Sequence, residues 1–165
     1  MPTTQLKTVA DVMTRKLVTV AETNVLAEVE QAMLGLHVRH LPVVDDRGNL
    51  IGLVSHGDLL HAASTFLSDR EVDRNAIISQ VQVGKIMQHE VLTVQPGDPL
   101  IEAGKLMWES KVSCLPVVDP YGALLGIITE ADFIRVALDL LGGGIKTSDI
   151  EELVRANRSA RSEVA

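Results

Sequence analysis

The sequence contains one pattern of about 50 residues twice. Residues 9–60 align with residues 83–134 at constant spacing, and the alignment needs no gap. The matched positions include prolines, glycines and aspartates, such as Asp58 and Asp132, which lie 74 positions apart. Two unrelated amphipathic helices would not keep these residue types in register over such a length. The chain is therefore built from two copies of one structural unit.

The strongest local pattern in each copy is a β-hairpin that leads directly into a helix. In the first copy, the apolar runs 41–45 and 50–55 flank a turn that contains an Asp and a Gly. Such runs around such a turn indicate paired antiparallel strands. Ser55 is then predicted to cap the following helix, and Asp58 lies in its first turn, where the helix dipole favours a carboxylate. The second copy repeats this arrangement over residues 115–132.

The remaining pattern predicts how the chain is divided. Before each hairpin we expect a short helical turn, an extended segment and an amphipathic helix. Residues 1–66 are predicted to form an N-terminal segment and the first repeat, 67–82 a linker, 83–141 the second repeat, and 142–165 a glycine hinge, short helix and tail. Because a short sheet needs cover, the two copies are expected to pack sheet to sheet about a pseudo-twofold axis.

Composition argues against several functions. Hydrophobic residues make up 46% of the chain and aromatic residues 2%, which suits an aliphatic α/β core and not a base-stacking surface. The net charge of −7 argues against a nucleic-acid partner. The single cysteine, Cys114, excludes an internal disulfide. No apolar run approaches the roughly 18 residues of a membrane span, and the N-terminus lacks a signal-peptide pattern, so we expect a cytoplasmic protein.

The sequence carries no recognisable catalytic set. It has no Ser/His/Asp combination, phosphate-binding loop or dinucleotide fingerprint, and its glycine run at 142–144 follows a predicted helix instead of a strand. His37 and His40 lack a cysteine or carboxylate at metal-ligand spacing. We therefore predict a protein that is not an enzyme, has no metal site and requires no cofactor.

In order and spacing, these elements resemble the CBS domain family, named after cystathionine β-synthase, in the tandem arrangement called a Bateman module. Each copy has Val-x-x-Ile/Val-Met, Thr-Val, Leu-Pro-Val-Val-Asp, Gly-x-Leu-x-Gly and Ser/Thr-x-x-Asp in that order, within residues 9–141. The resemblance implies an α/β fold with β-α-β-β-α in each of two tandem repeats. It also implies a stand-alone regulatory module that senses an adenosine compound (AMP, ADP, ATP, NAD or S-adenosylmethionine) and signals to a partner protein by conformational change.

The resemblance further implies two ligand sites, each joining the Ser/Thr-x-x-Asp motif of one repeat to the strand before the proline of the other. The first would combine Ser55 and Asp58 with Val112, Ser113, Cys114 and Pro116, and the second Thr129 and Asp132 with Val38, Arg39, His40 and Pro42. Carboxylates would accept hydrogen bonds from ribose, hydroxyls would hold phosphate, and Val and Pro side chains would sandwich the purine. Because Arg39 and His40 are basic, we expect the second site to suit a charged nucleotide better than the first.

One alternative stays open. The two aspartates could serve only to stabilise helix starts, and the chain would then be a structural or dimerisation protein with degenerate ligand sites. A symmetric homodimer is expected under either interpretation. It is predicted from apolar positions on the last helix of each repeat, which are Leu59, Leu60 and Ala63 in the first and Phe133, Ile134 and Ala137 in the second.

Overall fold

The computed structural model describes residues 8–66 and 78–141. Its elements are helix α1 (Leu26–Leu36), strands β1 (His40–Val44) and β2 (Leu50–Ser55), helices α2 (His56–Phe66) and α3 (Leu100–Ser110), strands β3 (Cys114–Val118) and β4 (Leu124–Thr129), and helix α4 (Glu130–Leu140). A 3-10 turn precedes each set, at Val9–Asp11 and Val83–Lys85. The predicted α/β fold with two tandem repeats is confirmed.

Each repeat contains a two-stranded antiparallel sheet, and the registers of the two sheets are equivalent. The first strand implied by the resemblance is reduced to one parallel bridge, between Val20 and Val43 in the first repeat. Val20 donates to the carbonyl of Pro42 at 3.1 Å and accepts from Val44 at 2.9 Å. The next donor along β1 would be the N–H of residue 42, which proline lacks, so the ladder ends there.

An aspartate closes each hairpin turn. The side-chain amide of Asn49 donates to Asp45 at 3.0 Å, and the backbone N–H groups of Asn49 and Arg47 donate at 2.8 and 2.9 Å. These bonds, the side-chain one foremost, hold the pKa of Asp45 below its usual value. Gly48 adopts a φ of +83°, where glycine has no steric penalty. Asp119 closes the second turn through the backbone N–H groups of Tyr121 and Ala123, without a side-chain amide bond because residue 123 is an alanine.

The two repeats exchange their N-terminal segments, so that the segment at the start of each repeat pairs with the hairpin of the other repeat. Gln88, near the start of the second repeat, bridges Leu53 in β2 through two backbone hydrogen bonds of 2.9 and 3.0 Å. Thr14 of the first repeat makes the equivalent pair of bonds to Ile127 in β4. The two hairpin turns also bridge each other. Because these bridges map onto one another with the 74-residue spacing, the predicted packing about a pseudo-twofold axis is confirmed.

The exchange of segments extends into the core of the first repeat. The buried cluster between its hairpin and its helices includes Val83 and Met87, which belong to the second repeat. Val83 is fully buried and Met87 is 6% exposed. The first repeat therefore does not fill its core from its own residues alone.

The outer faces of the helices differ from the prediction in one respect. Leu59 and Ala63 were expected on an uncovered face of α2, but they are only 4% and 5% exposed, whereas Leu60 is 52% exposed. The expectation was wrong for Leu59 and Ala63 because these positions fall on the inward stripe of the helix, where Leu59 joins the core cluster.

The chain divides into two compact units, the first ending at Thr129 and the second beginning at Glu130. In the second unit, helix α4 contains Asp132, which is 8% exposed and accepts a hydrogen bond from Arg135 at 3.2 Å. Most of the predicted linker, and the C-terminal hinge, helix and tail, lie outside the described residues. In the described ranges, no helix is long and apolar enough to cross a membrane.

Candidate ligand cavity where the repeats meet

The first unit contains a cavity of about 320 Å³ between the two repeats. This volume falls at the lower end of the range for small-molecule sites, about 300–1,000 Å³. The first repeat contributes three residues to the lining and the second contributes eight. The lining residues are His40, Leu53, Ser55, Gln88, Glu90, Val91, Leu92, Lys111, Val112, Ser113 and Cys114.

The inner wall of the cavity is apolar. Leu53 and Cys114, which are 9% and 4% exposed, pack with Ile127 in a small buried cluster, and Val91 packs against that cluster. An apolar wall next to a few polar groups suits a ligand that has a flat apolar face and polar edges.

Polar groups of both repeats meet inside the cavity. His40 begins β1 and is paired with Ser55 at the end of β2. The Nε2 atom of His40 lies 3.1 Å from the Oγ of Ser113, which belongs to the second repeat. One hydrogen bond therefore joins the two repeats within the cavity wall. His40, which the resemblance implies for the second predicted site, lines this cavity.

Ser55 and Asp58 form reciprocal hydrogen bonds at the start of α2. Oδ2 of Asp58 accepts the N–H of Ser55 at 2.7 Å and its Oγ–H at 2.6 Å, and the Asp58 N–H donates back to Ser55 Oγ at 3.2 Å. The predicted cap is thus present. The other oxygen, Oδ1, accepts the side-chain amide of Gln88 at 3.4 Å. Asp58 does not line the cavity, although Ser55 and Gln88 both do.

The end of α3 directs the chain towards the cavity. Lys111 ends the helix with a φ of 57°, and the N–H of Val112 bonds back to Met107 at 3.2 Å, as in a Schellman motif. The ammonium of Lys111 lies 4.4 Å from the centroid of the exposed Trp108 ring, an attractive cation–π arrangement. With Glu90 as the one lining carboxylate, the charges of Lys111 and Glu90 balance.

The structure brings most of the first predicted site together. Ser55, Val112, Ser113 and Cys114 all line the cavity, whereas Pro116 is fully buried in β3. No group of three His, Cys, Asp or Glu side chains that could hold a metal ion occurs within residues 8–66 and 78–141.

Sequence reasoning missed one wall of the cavity. Gln88, Glu90, Val91 and Leu92 line it, and they follow the exchanged segment of the second repeat. No motif marks these residues in the sequence. The signal that could have found them is the apolar Met87, repeated from Met13 in the predicted short helical turn, since such a residue has to be buried against something else.

The residues of the second predicted site are distributed differently. Val38 is 38% exposed, Arg39 is exposed, and Pro42 is fully buried within β1. Thr129 ends β4 opposite Cys114, and Asp132 belongs to the second unit. The assembly of Thr129 and Asp132 with Val38, Arg39 and Pro42 stays a prediction.

Two repeats with exchanged segments and a cavity at their junction define a tandem-duplicated α/β module. The chain belongs to the CBS domain family, because the family model for the CBS domain matches residues 9–65 and 83–139. A CBS domain-containing protein of Dictyostelium discoideum is 32% identical over 134 residues, which cover 81% of this chain and 92% of that protein. The resemblance seen in the sequence is confirmed.

Solved structures share the fold over most of the chain. A candidate acetoin utilization protein of Vibrio cholerae is 34% identical with a TM-score of 0.74, covering 83% of this chain and 96% of that one. CBSX2 of Arabidopsis thaliana, solved in complex with AMP, is 33% identical with a TM-score of 0.69, covering 80% and 97%. The chain also matches homoserine O-acetyltransferase of Methanococcoides burtonii, 35% identical over 128 residues, but spans only 24% of that enzyme. That match gives no evidence of the transferase activity in this chain.

Proposed function

We propose that this protein is a regulatory module that binds an adenosine-containing ligand between its repeats and signals occupancy to a partner protein. The cavity carries the proposal, because it places the polar groups of Ser55, His40 and Ser113 beside an apolar wall. The AMP complex of CBSX2, a protein 33% identical to this one, supports the choice of ligand class. The candidate ligands are AMP, ADP, ATP, NAD and S-adenosylmethionine.

The charges of the cavity favour one kind of ligand there. Lys111 and Glu90 balance each other, and the remaining polar groups are hydroxyls, an amide and the imidazole of His40. This lining suits an adenosine compound with little net charge. The second predicted site, with Arg39, is the better candidate for a nucleotide that carries several phosphate charges.

Ligand occupancy has a direct way to affect how the repeats meet. The hydrogen bond between His40 and Ser113 joins the repeats inside the cavity. A polar ligand group that bonds to either side chain competes with that bond. The conformational signal would then begin as a change in the contact between the repeats, which a partner protein could read.

Ligand-induced stabilisation tests the proposal. A ligand present at 100 times its Kd should stabilise the protein by about 2.7 kcal/mol, or raise Tm by roughly 5–10 °C for a chain of this size. Thermal unfolding and calorimetry with the five candidate ligands would measure this, with GMP as a control that keeps the sugar and phosphate of AMP and changes the base. Failure of all five ligands to shift Tm or release heat would contradict the proposal.

One observation favours the alternative of a dimerisation protein without a ligand. Both carboxylate oxygens of Asp58 already accept hydrogen bonds within the chain, so this aspartate has a structural role whether or not ligand binds. Under this alternative the purified protein carries no adenine absorbance and is indifferent to every nucleotide.

A further inference from the structure

Gln88 donates a hydrogen bond to the one carboxylate oxygen of Asp58 that Ser55 does not contact. Both bonds from Ser55 go to Oδ2 of Asp58, at 2.7 and 2.6 Å. Among the described residues, Oδ1 accepts a hydrogen bond from the side-chain amide of Gln88 alone, at 3.4 Å. That distance is long for an N–H···O bond, for which about 2.9–3.0 Å is most frequent, so the contact is weak.

The main chain of Gln88 is held more firmly than its side chain. Two backbone hydrogen bonds of 2.9 and 3.0 Å tie Gln88 to Leu53. Its carbonyl oxygen also lies so close to Gly52 that a Cβ on that glycine would come within 3.1 Å. Gln88 is nevertheless exposed as a residue and lines the cavity, and its side chain makes one weak hydrogen bond. The amide group can therefore rotate away from Asp58 without any movement of the backbone.

We propose that Gln88 screens Asp58 from the cavity and competes with the ligand for its Oδ1 atom. This inference rests on the proposed function and specifies how the cavity between the repeats selects its ligand. Gln88 lines the cavity and Asp58 does not, so a ribose hydroxyl reaches Oδ1 only after the Gln88 amide has turned away. Gln88 thereby lowers the affinity of this cavity for ligands that carry a vicinal diol, while ligands without the diol are unaffected.

The chain itself supplies a suitable replacement for Gln88. Thr14 occupies the equivalent place in the other exchanged segment, where its backbone makes the same pair of bonds, to Ile127 at 2.9 and 3.0 Å. Threonine is therefore compatible with this backbone geometry, and its shorter side chain has no amide to reach a carboxylate. Gln88→Thr removes the competitor with little risk to the fold, and Gln88→Ala serves as a second variant with the same expectation.

A ligand titration read at the cavity itself tests the inference. The methyl NMR signals of Val91 and Val112, which line this cavity, would follow the addition of adenosine, which carries no net charge, and of 2′,3′-dideoxyadenosine, which lacks the diol. Gln88→Thr should raise the affinity for adenosine by about two- to threefold, the lower end of the net contribution of one hydrogen bond, because the Gln88 contact is weak. It should leave the affinity for 2′,3′-dideoxyadenosine unchanged, and its effect on adenosine should vanish in an Asp58→Ala background.

The outcomes separate the inference from the proposed function. If both Gln88 variants bind adenosine as the parent does or more weakly, if the gain persists without Asp58 or extends to the dideoxy ligand, or if adenosine moves neither methyl signal in any variant, the inference is overturned while the proposed function still stands. If, in addition, none of the five candidate ligands binds to the protein, the proposed function fails as well. A merely structural role for Gln88 would not distinguish the two ligands.

Discussion

Two aspartates that are equivalent in the sequence have different surroundings in the structure. Asp58 shares its carboxylate between Ser55 and Gln88. Asp132 is 8% exposed and accepts a hydrogen bond from Arg135, one turn further along α4. The position equivalent to Arg135 in the first repeat is His61. The motif therefore predicts where each carboxylate lies, and residues outside the motif, Gln88 and Arg135, give the two carboxylates different additional partners.

At the residue scale, we expect Asp132 to contribute more than Asp58 to the binding of a charged nucleotide. Asp132→Ala should cost about 1.5–3 kcal/mol of AMP affinity, roughly ten- to a hundredfold, because a charge-assisted acceptor for ribose is lost. Asp58→Ala should change little, since Gln88 already occupies its available oxygen. Isothermal titration calorimetry of both variants measures the difference.

A control variant separates the phosphate contact from the ribose contact. Arg39→Ala should weaken the binding of AMP and ATP but leave adenosine almost unaffected, because Arg39 is expected to act through phosphate alone. Loss of AMP binding in Asp58→Ala but not in Asp132→Ala would show that the ranking of the two sites is inverted.

At the scale of single elements, local chemistry made the hairpins predictable. The turn aspartate, the glycine at positive φ and the Ser55 cap each act within a few residues, so the sequence pattern contains them. The first strand implied by the resemblance is reduced to one bridge at Val20, because the missing N–H of Pro42 ends the ladder. The contact between Met87 and Gly52 could not be predicted, since it joins distant segments and no local pattern records it.

The exchanged segment is expected to be sensitive to a single added carbon atom. A Cβ at Gly52 would lie 2.6 Å from Sδ of Met87 and 3.1 Å from the carbonyl oxygen of Gln88. Gly52→Ala should therefore lower the free energy of unfolding by about 1–3 kcal/mol, as overpacked core substitutions do. Urea denaturation would measure this loss.

Gly35→Ala is the matched control for Gly52→Ala. Gly35 lies in α1 with nothing within 4 Å of an added Cβ, so alanine there should stabilise the helix by up to about 1 kcal/mol. If Gly52→Ala unfolds at the same urea concentration as the parent protein, the close packing of the exchanged segment on β2 is not a determinant of stability.

At the scale of the whole molecule, the duplication predicted the architecture, and the resemblance predicted most of the first site, but it did not place His40 in that site. His40 and Cys114 are equivalent positions in the two repeats, and both line the same cavity. Residues close to a pseudo-twofold axis can face either cleft, so the family pattern could not assign His40 to one of them. The cavity wall from Gln88 to Leu92 was missed for a related reason, since it follows the segment that the repeats exchange.

The oligomeric state provides the last prediction. Leu60 on α2 and Ile134 on α4 are equivalent positions and are 52% and 61% exposed, which leaves a large aliphatic side chain uncovered on the last helix of each repeat. We expect these faces to be buried in a symmetric homodimer, as an isologous interface requires. Light scattering coupled to gel filtration should show a dimer that persists on dilution, and Leu60→Glu should dissociate it by placing a charge in the apolar interface.

Leu34→Glu is the control for Leu60→Glu, because Leu34 is 64% exposed but lies on α1, and this variant should remain dimeric. Dissociation by Leu34→Glu alone would assign the interface to α1, and a monomer at all concentrations of the parent protein would exclude the dimer.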